Sequence, residues 1–330
     1  MIERRDFITL LSGAAAWPLA AHAQQGTSVK RVGVLLGSDF ENDPAIQVGI
    51  SAFREGLAKL GWTEERNLRL DFRFGGGDGD RIRASAAELV GLAPDAIVTG
   101  SAAATRAVQE HTHTTPIIIS GAGDVAANGL VRNVAHPEAN ITGVTNLLGS
   151  IGGKWLELLK EAVPTLNRVS FVEPQFSIEG RVSSFRPSIE AASHALSVEM
   201  IDIQYRSAVQ LVRAIDAFAA QPNGGLIVAP PNTRIDSGTI LELAAQYRLP
   251  TIGGWRFGEN GGLISYGTNP LDAWGRVAFF VDRILRGAKV SELPVEFPTK
   301  YRLAVNLKTA KALGLTVPPS LLARADELIE

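Results

Sequence analysis

The residues whose types and positions could do chemistry lie in loops that follow short apolar segments. In the first half they are Ser38, the run Gly100, Ser101 and Ala102, then Asp124 and Asn146; in the second half they are Phe176, Asn232 and the run Trp255, Arg256 and Phe257. Parallel α/β sheets bind ligands beyond the carboxyl ends of their strands, which is where these loops are expected. Hydroxyl, amide, carboxylate, guanidinium and aromatic groups of this kind can together hold a small polar molecule.

Ser101 has the most specific chemistry among them. It follows the apolar segment Asp95–Gly100 and precedes a helix expected over about 101–111. The unpaired N–H groups of a helix N-terminus, together with a hydroxyl, can hold a carboxylate without a full positive charge. Serine is also a common helix N-cap, so both roles stay open. Asp124 can similarly pair with a ligand ammonium or cap the short helical segment before Leu130.

The second-half residues each have two interpretations as well. Asn232 can donate to and accept from a polar ligand, or it is a turn residue. Trp255 and Phe257 can offer apolar faces to an aromatic or aliphatic ligand, or they belong to the core. Arg256 can form a two-pronged pair with a carboxylate, or it is a solvated surface charge.

Signals for catalysis, nucleotides and metals are weak. The glycine-rich stretch 75–80 does not match G-x-G-x-x-G, and the chain has neither a phosphate-binding loop nor a G-x-S-x-G elbow. His111 and His113 are two residues apart, so they would not face one another on a helix. The sequence therefore favours binding over catalysis, and we expect no enzyme activity, no metal and no cofactor.

Composition narrows the class further. The chain has 330 residues, 45% hydrophobic and 20% charged, which indicates about two globular domains. Lys and Arg number 32 against 34 Asp and Glu, and a net charge of −2 argues against a nucleic-acid or membrane-surface protein. The chain contains 0 Cys, which excludes disulfides, thiolate metal sites, a catalytic cysteine and a cysteine-linked lipid.

Residues 1–23 have the pattern of an export signal. Arg4 and Arg5 precede an apolar run from Phe7 to Leu19, and Ala21-His22-Ala23 provides a small-x-small cleavage site. The arginine pair resembles a twin-arginine signal, which exports folded proteins; a generic secretory signal is the alternative. Later stretches do not reach the ~18 apolar residues of a membrane helix. We therefore expect a periplasmic protein that is not inserted in the membrane after cleavage.

Short apolar segments alternate with amphipathic ones along the rest of the chain. The expected strands are Arg31–Leu36, Leu68–Phe74, Asp95–Gly100, Pro116–Ser120, Ile141–Thr145, Arg168–Val172, Val198–Ile203, Gly225–Val228 and Pro250–Ile252. The later stretch Leu263–Gly267 can carry the chain back toward the first lobe. This alternation predicts an α/β fold with two doubly wound parallel-sheet lobes joined by a hinge. The expected first lobe is 30–146 plus about 267–296, and the second is 147–266 plus about 297–330.

The chain resembles a known family over roughly residues 30–330. The stretches that carry the resemblance are Phe53–Gly61, Ala87–Val90, Thr115–Ile117, Asn140–Val144, Leu156–Pro164, Gly261–Gly267, Asp282–Gly287, Leu293–Glu296, Asn306–Leu315 and Pro318–Leu322. They are similar to the tryptophan/tyrosine-type substrate-binding proteins of ABC importers, which have a type I periplasmic-binding fold. The resemblance implies a ligand between the lobes and, as partners, a membrane permease with its ATPase. We expect a monomer with no nucleic-acid partner.

The chain departs from the family pattern at its expected ligand loops. Val125 follows Asp124 where the family often has Pro, and Pro231 replaces the Asp of a family Asp-Asn-Thr motif. Asn146 stands where Asp or Ser is common, and Phe176 lies where amino-acid-binding members carry small polar residues. The loss of acidic groups favours a ligand without an ammonium, such as an aromatic or aliphatic acid.

Three other classes of protein are alternatives to a transport protein. A sensory protein would use the same closed cleft to signal through a membrane receptor, and an exported α/β enzyme would need an acid–base cluster. A ligand-sensing repressor would need DNA-binding helices before its first lobe, where this chain has an export signal instead.

Overall fold

The computed structural model describes residues 29–37, 41–121, 123–126, 129–145, 149–174, 184–229 and 234–330. Its strands are β1 Lys30–Leu36, β2 Leu68–Phe74, β3 Ala96–Thr99, β4 Ile117–Ser120, β5 Ile141–Val144, β6 Arg168–Pro174, β7 Glu199–Tyr205, β8 Gly224–Val228, β9 Thr251–Gly253, β10 Ile264–Gly267, β11 Arg302–Asn306 and β12 Glu327–Ile329. Its helices are α1 Pro44–Lys59, α2 Gly79–Gly91, α3 Ala102–Gln109, α4 Ile151–Ala162, α5 Arg186–Leu196, α6 Ala208–Ala219, α7 Arg234–Gln246, α8 Pro270–Leu285, α9 Leu307–Leu313 and α10 Pro319–Leu322.

The first sheet has the strand order β2-β1-β3-β4-β5, and all its pairs are parallel. Its central strands are apolar on both faces because helices cover both. Val32 and Val34 pack with Phe53 of α1 and Val277 of α8, whereas Leu35 faces the opposite cluster, formed with α2 and α3. Burial on both faces explains why β1 has a continuous apolar run and no alternation.

Helix α8 returns the chain to the first sheet after β10. It lies so close to α1 that a Cβ atom placed on Gly56 would be 2.8 Å from the Cβ of Ala278. Asp282, buried on α8, accepts a hydrogen bond from the indole of Trp62 at 2.8 Å. These contacts join the late segment 270–285 to the core formed by the early part of the chain.

The second sheet has the order β12-β11-β10-β9-β8-β6-β7. Helix α4, anchored by the fully buried Trp155, and helix α5 pack on one face, and α6 and α7 pack on the other. The prediction of an α/β protein with two parallel-sheet lobes is confirmed. The structure adds β11 and β12, which the sequence did not predict, and β11 runs antiparallel to β10.

The segment around Glu296 links the last part of the chain to β5. Its backbone N–H donates to Gly143, and its carbonyl accepts from Thr145. The Glu296 carboxylate also pairs with the guanidinium of Arg276 on α8.

Across the part of the chain that the structure describes, no helix combines the length and the apolar character needed to cross a membrane.

Candidate functional site

The carboxyl ends of the first-sheet strands meet at one edge, which we call the first edge. Gly37, Gly75, Gly100 and Gly121 each follow directly after a strand, after β1, β2, β3 and β4 respectively. Neighbouring loops are joined by main-chain hydrogen bonds, including Gly75 N–H to Leu36 at 2.8 Å and Gly100 N–H to Leu35 at 2.9 Å. In the parts of these loops that the structure describes, backbone at four glycines therefore contributes to the first edge.

Close packing explains why these positions are glycine. A Cβ atom on Gly75 would be 2.5 Å from the carbonyl oxygen of Gly37. A Cβ atom on Gly37 would overlap the hydroxyl of Ser101 and would also be 3.2 Å from the Cβ of Ala104. The loops after β1 and β2 are thereby held against the start of α3.

Ser101 is the N-cap of α3 and is half-buried at the first edge. Its hydroxyl oxygen accepts from the N–H of Ala104 at 3.1 Å, which leaves the hydroxyl hydrogen able to donate to a ligand. Its own carbonyl accepts from the Thr105 hydroxyl at 2.8 Å, which fixes the cap peptide. The first N–H groups of a helix have no partner inside it, so the backbone at Ser101 and Ala102 forms a cradle suited to an anion. The N–H of Gly100 is already used by Leu35, and Gly100 contributes to this cradle only by its position beside it.

Asp124 lies half-buried in the loop after β4. One carboxylate oxygen accepts from the N–H of Gly149, just before α4, at 3.5 Å. The Gly149 carbonyl in turn accepts from the Ser188 hydroxyl of α5 at 2.5 Å. Asp124 thus connects the first sheet to the segment that begins the second lobe, and a role toward a ligand ammonium stays a prediction.

The corresponding edge of the second sheet, the second edge, carries large side chains. It comprises residues 254–257 after β9 and residues 301–302 before β11, whose antiparallel direction brings Arg302 opposite Gly267 at the end of β10. Tyr266 and Tyr301 stack there with ring centroids 5.6 Å apart. Burial, then the neighbouring Tyr266, raises the pKa of the Tyr301 hydroxyl.

The predicted run 255–257 divides among three environments. Phe257 is only 8% exposed, and its ring packs against Gly253 and Gly262, so it supports the second edge from within the core. Arg256 points into solvent with its side chain 63% exposed and pairs locally with Glu259 at 2.6 Å. The structure thus places Phe257 in the core and Arg256 at the solvated surface, and a contact of either residue with a ligand stays a prediction.

Trp255 is half-buried and remains at the second edge. The guanidinium carbon of Arg302 lies 5.4 Å from the centre of its indole ring. The sequence did not predict a role for Arg302. Residues 302–306 show no local pattern that would distinguish an antiparallel strand from the other short stretches in which apolar residues alternate with polar ones. Tyr301 was missed for the same reason.

Four predicted contacts, Ser38, Asn146, Phe176 and Asn232, lie outside the described residues. Among the residues that are described, no group of three or more His, Cys, Asp or Glu side chains is arranged to hold a metal ion. His111 and His113 are both exposed.

Solved structures define the class of protein to which this architecture belongs. The chain has a TM-score of 0.80 and 23% identity to a conserved domain protein from Vibrio cholerae, covering 91% of this chain and 100% of that one. A Streptococcus pneumonia ABC domain in complex with L-Trp has a TM-score of 0.78 and 22% identity, and the match covers 92% of this chain and 100% of that one. The ligand-free, open structure of a substrate-binding protein with adhesive properties from Clostridium difficile has a TM-score of 0.69 and 21% identity. That match covers 91% of this chain and 99% of that one. The fold is that of two-lobed periplasmic binding proteins.

The family follows from the sequence itself. The model for the ABC transporter substrate binding protein family matches residues 37–329, and the chain belongs to that family. A curated relative, the tyrosine-binding protein of Clostridioides difficile (strain R20291), is 20% identical over 288 residues, which cover 87% of this chain and 81% of that protein. The family consists of solute-binding proteins rather than enzymes, and its members are generally extracytoplasmic.

Proposed function

We propose that this chain is the periplasmic solute-binding component of an ABC importer. It captures a small organic ligand, an amino acid or an aromatic or aliphatic carboxylate, between two lobes and delivers it to a membrane permease. The observation that carries the proposal is the anion-suited cradle at Ser101 and Ala102, which lies beside Gly100 where the strands of the first sheet end, in a member of this family.

Binding would use both lobes in turn. The first lobe, 30–146 plus about 267–296, would hold the ligand at the first edge, through Ser101 and the neighbouring loops that contain Ser38, Asp124 and Asn146. The second lobe, 147–266 plus about 297–330, would then close by a hinge motion and add Phe176, Asn232 and Trp255. Closure would exclude water and strengthen the few polar contacts. The closed form would dock on the permease.

Two kinds of observation support a carboxylate-bearing ligand. Two of the similar proteins are named for aromatic amino acids, the Clostridioides difficile relative for tyrosine and the Streptococcus pneumonia ABC domain for its bound L-Trp, and both ligands carry a carboxylate and an aromatic ring. More distant similar structures, at 10% and 13% identity, hold the neutral polyols myo-inositol and allitol. In this chain Asp124 is already bonded to Gly149, and Pro231 and Phe176 replace polar groups of the family pattern. The combination favours an aromatic or aliphatic acid over a zwitterionic amino acid.

Thermal-shift screening of the purified mature chain tests the proposal. The panel contains aromatic amino acids, aromatic and aliphatic acids, sugars and polyols, and hits are followed by calorimetric titration. A ligand present at 100 times its dissociation constant should stabilise the protein by about 2.7 kcal/mol, and it should be recovered chemically unchanged. Release of a modified product would contradict a binding function and would support an exported enzyme.

Export by the twin-arginine route is the second part of the proposal, and it rests on Arg4 and Arg5 before the apolar run. Replacing both with lysine keeps the charge, so a generic secretory signal should still function. We expect the double variant to remain in the cytoplasm while the wild-type chain reaches the periplasm in the same cells. Normal export of the variant would show that the general secretory route is used instead.

A further inference from the structure

Arg302 and Trp255 form a stacked cation–aromatic pair at the second edge. The guanidinium carbon lies 5.4 Å from the centre of the indole ring. The backbone of Trp255 packs against the end of β10, since a Cβ atom on Gly267 would be 2.8 Å from the Trp255 nitrogen. Stacking on an aromatic face restrains a guanidinium while leaving the N–H groups around its rim available to a partner.

The electrostatic surroundings of Arg302 differ from those of the nearby Arg256. Arg256 donates to Glu259 at 2.6 Å, whereas the acidic partner of Arg302, Glu327, is 3.7 Å away and too distant for a hydrogen bond. Within the described part of the chain, the guanidinium of Arg302 makes no hydrogen bond, and its side chain is 51% exposed. Arg302 is therefore a restrained cation with unused donors at the edge where a ligand is expected.

We propose that Arg302, positioned by Trp255, is the residue of the second lobe that recognises a ligand carboxylate and makes the protein selective for acids. This inference rests on the proposed function, because it assigns a contact within the same cleft. Two independent features point to an anion: the open N-terminus of α3 at Ser101 on the first edge and the cation Arg302 on the second. On closure, an acidic ligand would be held between a partial positive charge and a full one, with the indole beside its apolar part.

The test compares matched acids and amides on matched variants. The probes are L-tryptophan, indole-3-acetate and benzoate, each with its carboxamide, together with myo-inositol as a neutral polyol. The variants are Arg302→Gln and Arg302→Lys, with Arg256→Gln as a control at an exposed arginine that directly follows Trp255 in the chain. Affinities are measured by calorimetric titration, and the folding of each variant is checked by its thermal midpoint.

We expect the wild-type chain to bind at least one acid and to bind its amide at least tenfold more weakly. Arg302→Gln should weaken acid binding by roughly 10- to 100-fold, because a hydrogen bond to a charged group is lost, and it should leave amide binding unchanged. Arg302→Lys should keep part of the acid affinity, since it retains the charge but loses the planar fork. Arg256→Gln should bind as the wild type does.

Glu327→Gln separates recognition from a structural role. If Arg302 served only to pair with Glu327, both variants would change binding in the same way; if Arg302 recognises the ligand, Glu327→Gln should bind acids at least as well as the wild type. Unchanged acid affinity in Arg302→Gln, equal binding of acid and amide, or binding of myo-inositol alone would overturn the inference while leaving a solute-binding function in place. Binding of none of the probes, with no hit in the wider thermal screen, would overturn both.

Discussion

The two sheet edges that face the expected ligand are built from opposite kinds of residue. Among the described residues, the first edge has glycine directly after four of its strands, with the Ser101 hydroxyl and the Asp124 carboxylate beside this backbone. The second edge presents Trp255, Tyr301 and Arg302. Main-chain donors at a helix end are set by the fold, and a side-chain substitution does not change them. Half-exposed side chains, in contrast, can be exchanged by substitution. Our proposal follows from this difference: the first edge would supply a fixed anion cradle, and the second edge would supply selectivity.

Gly75→Val should have the largest effect on stability, because it tests whether the first edge is fixed by close packing. Its Cβ would be 2.5 Å from both the Gly37 carbonyl and an Ile82 side-chain carbon. We expect a loss of about 1–3 kcal/mol in urea unfolding, the usual cost of overpacking. Gly275→Ala is the control: it lies on α8 with nothing within 4 Å of its added Cβ and should be neutral or stabilising. An unchanged midpoint for Gly75→Val would show that the first edge can accept side chains.

Ser101→Ala separates a helix cap from a ligand contact. Ser207 is a matched control, since it caps α6 with the same extended backbone, its hydroxyl accepting from Gln210 at 3.3 Å. Each alanine substitution should cost about 1 kcal/mol of stability, as loss of an N-cap usually does. Only Ser101→Ala should also weaken ligand binding in calorimetric titration. Equal ligand affinities in the two variants would assign Ser101 a capping role alone.

Trp255→Leu tests whether the second edge contributes selectivity rather than stability. The substitution removes the cation–aromatic contact with Arg302, worth about 0.5–1 kcal/mol at an exposed site, and keeps an apolar side chain. The unfolding free energy should fall by no more than that amount, and the preference for acids over amides should shrink. A large loss of stability with unchanged preference would make Trp255 a core residue like Phe257.

The stability of the protein should depend on pH through Asp95 beside the first sheet and through Tyr301 beside the second sheet. We expect these effects on stability to be smaller than those of the substitutions above. Burial opposes ionisation of Asp95, but hydrogen bonds from the Arg31 N–H and the Lys30 ammonium outweigh it and lower the pKa of its carboxyl group. Its contribution is present above the unfolded-state pKa and is lost as pH falls through the folded-state pKa. Burial raises the pKa of Tyr301, so its contribution is present below the unfolded-state pKa and is lost as pH rises through the folded-state pKa.

Each pH effect has its own variant. Asp95→Asn should flatten the acid limb of the thermal-midpoint profile, and Tyr301→Phe should flatten the alkaline limb, with neither variant changing the other limb. If Asp95→Asn lost the same stability at every pH, the carboxylate would be acting through packing and not through its charge.

Local patterns in the sequence predicted the strands β1 to β9 and the place of Ser101. A continuous apolar run followed by glycine is what a strand buried on both faces requires, and a serine after such a run is where a helix begins. The environments of residues 255–257 could not be predicted in this way. Trp255 and Phe257 are both aromatic and two residues apart, but close approach of Gly262 places only Phe257 in the core. The position of Arg302 at the second edge results from the antiparallel pairing of β11 with β10, which is distant in sequence and has no local pattern that predicts it.

The central claim is that the two lobes close on a small ligand, and a distance between them measures this directly. The chain contains 0 cysteines, so Asp80→Cys on α2 and Val209→Cys on α6 can each carry a spin label without further changes. Both positions are exposed, and each follows the outermost strand of its sheet at the edge where we expect the ligand to bind. With a ligand identified by the thermal screen, the label-to-label distance should shorten and its distribution should narrow at saturation. An unchanged distance at a concentration where calorimetry shows full occupancy would contradict closure of the two lobes.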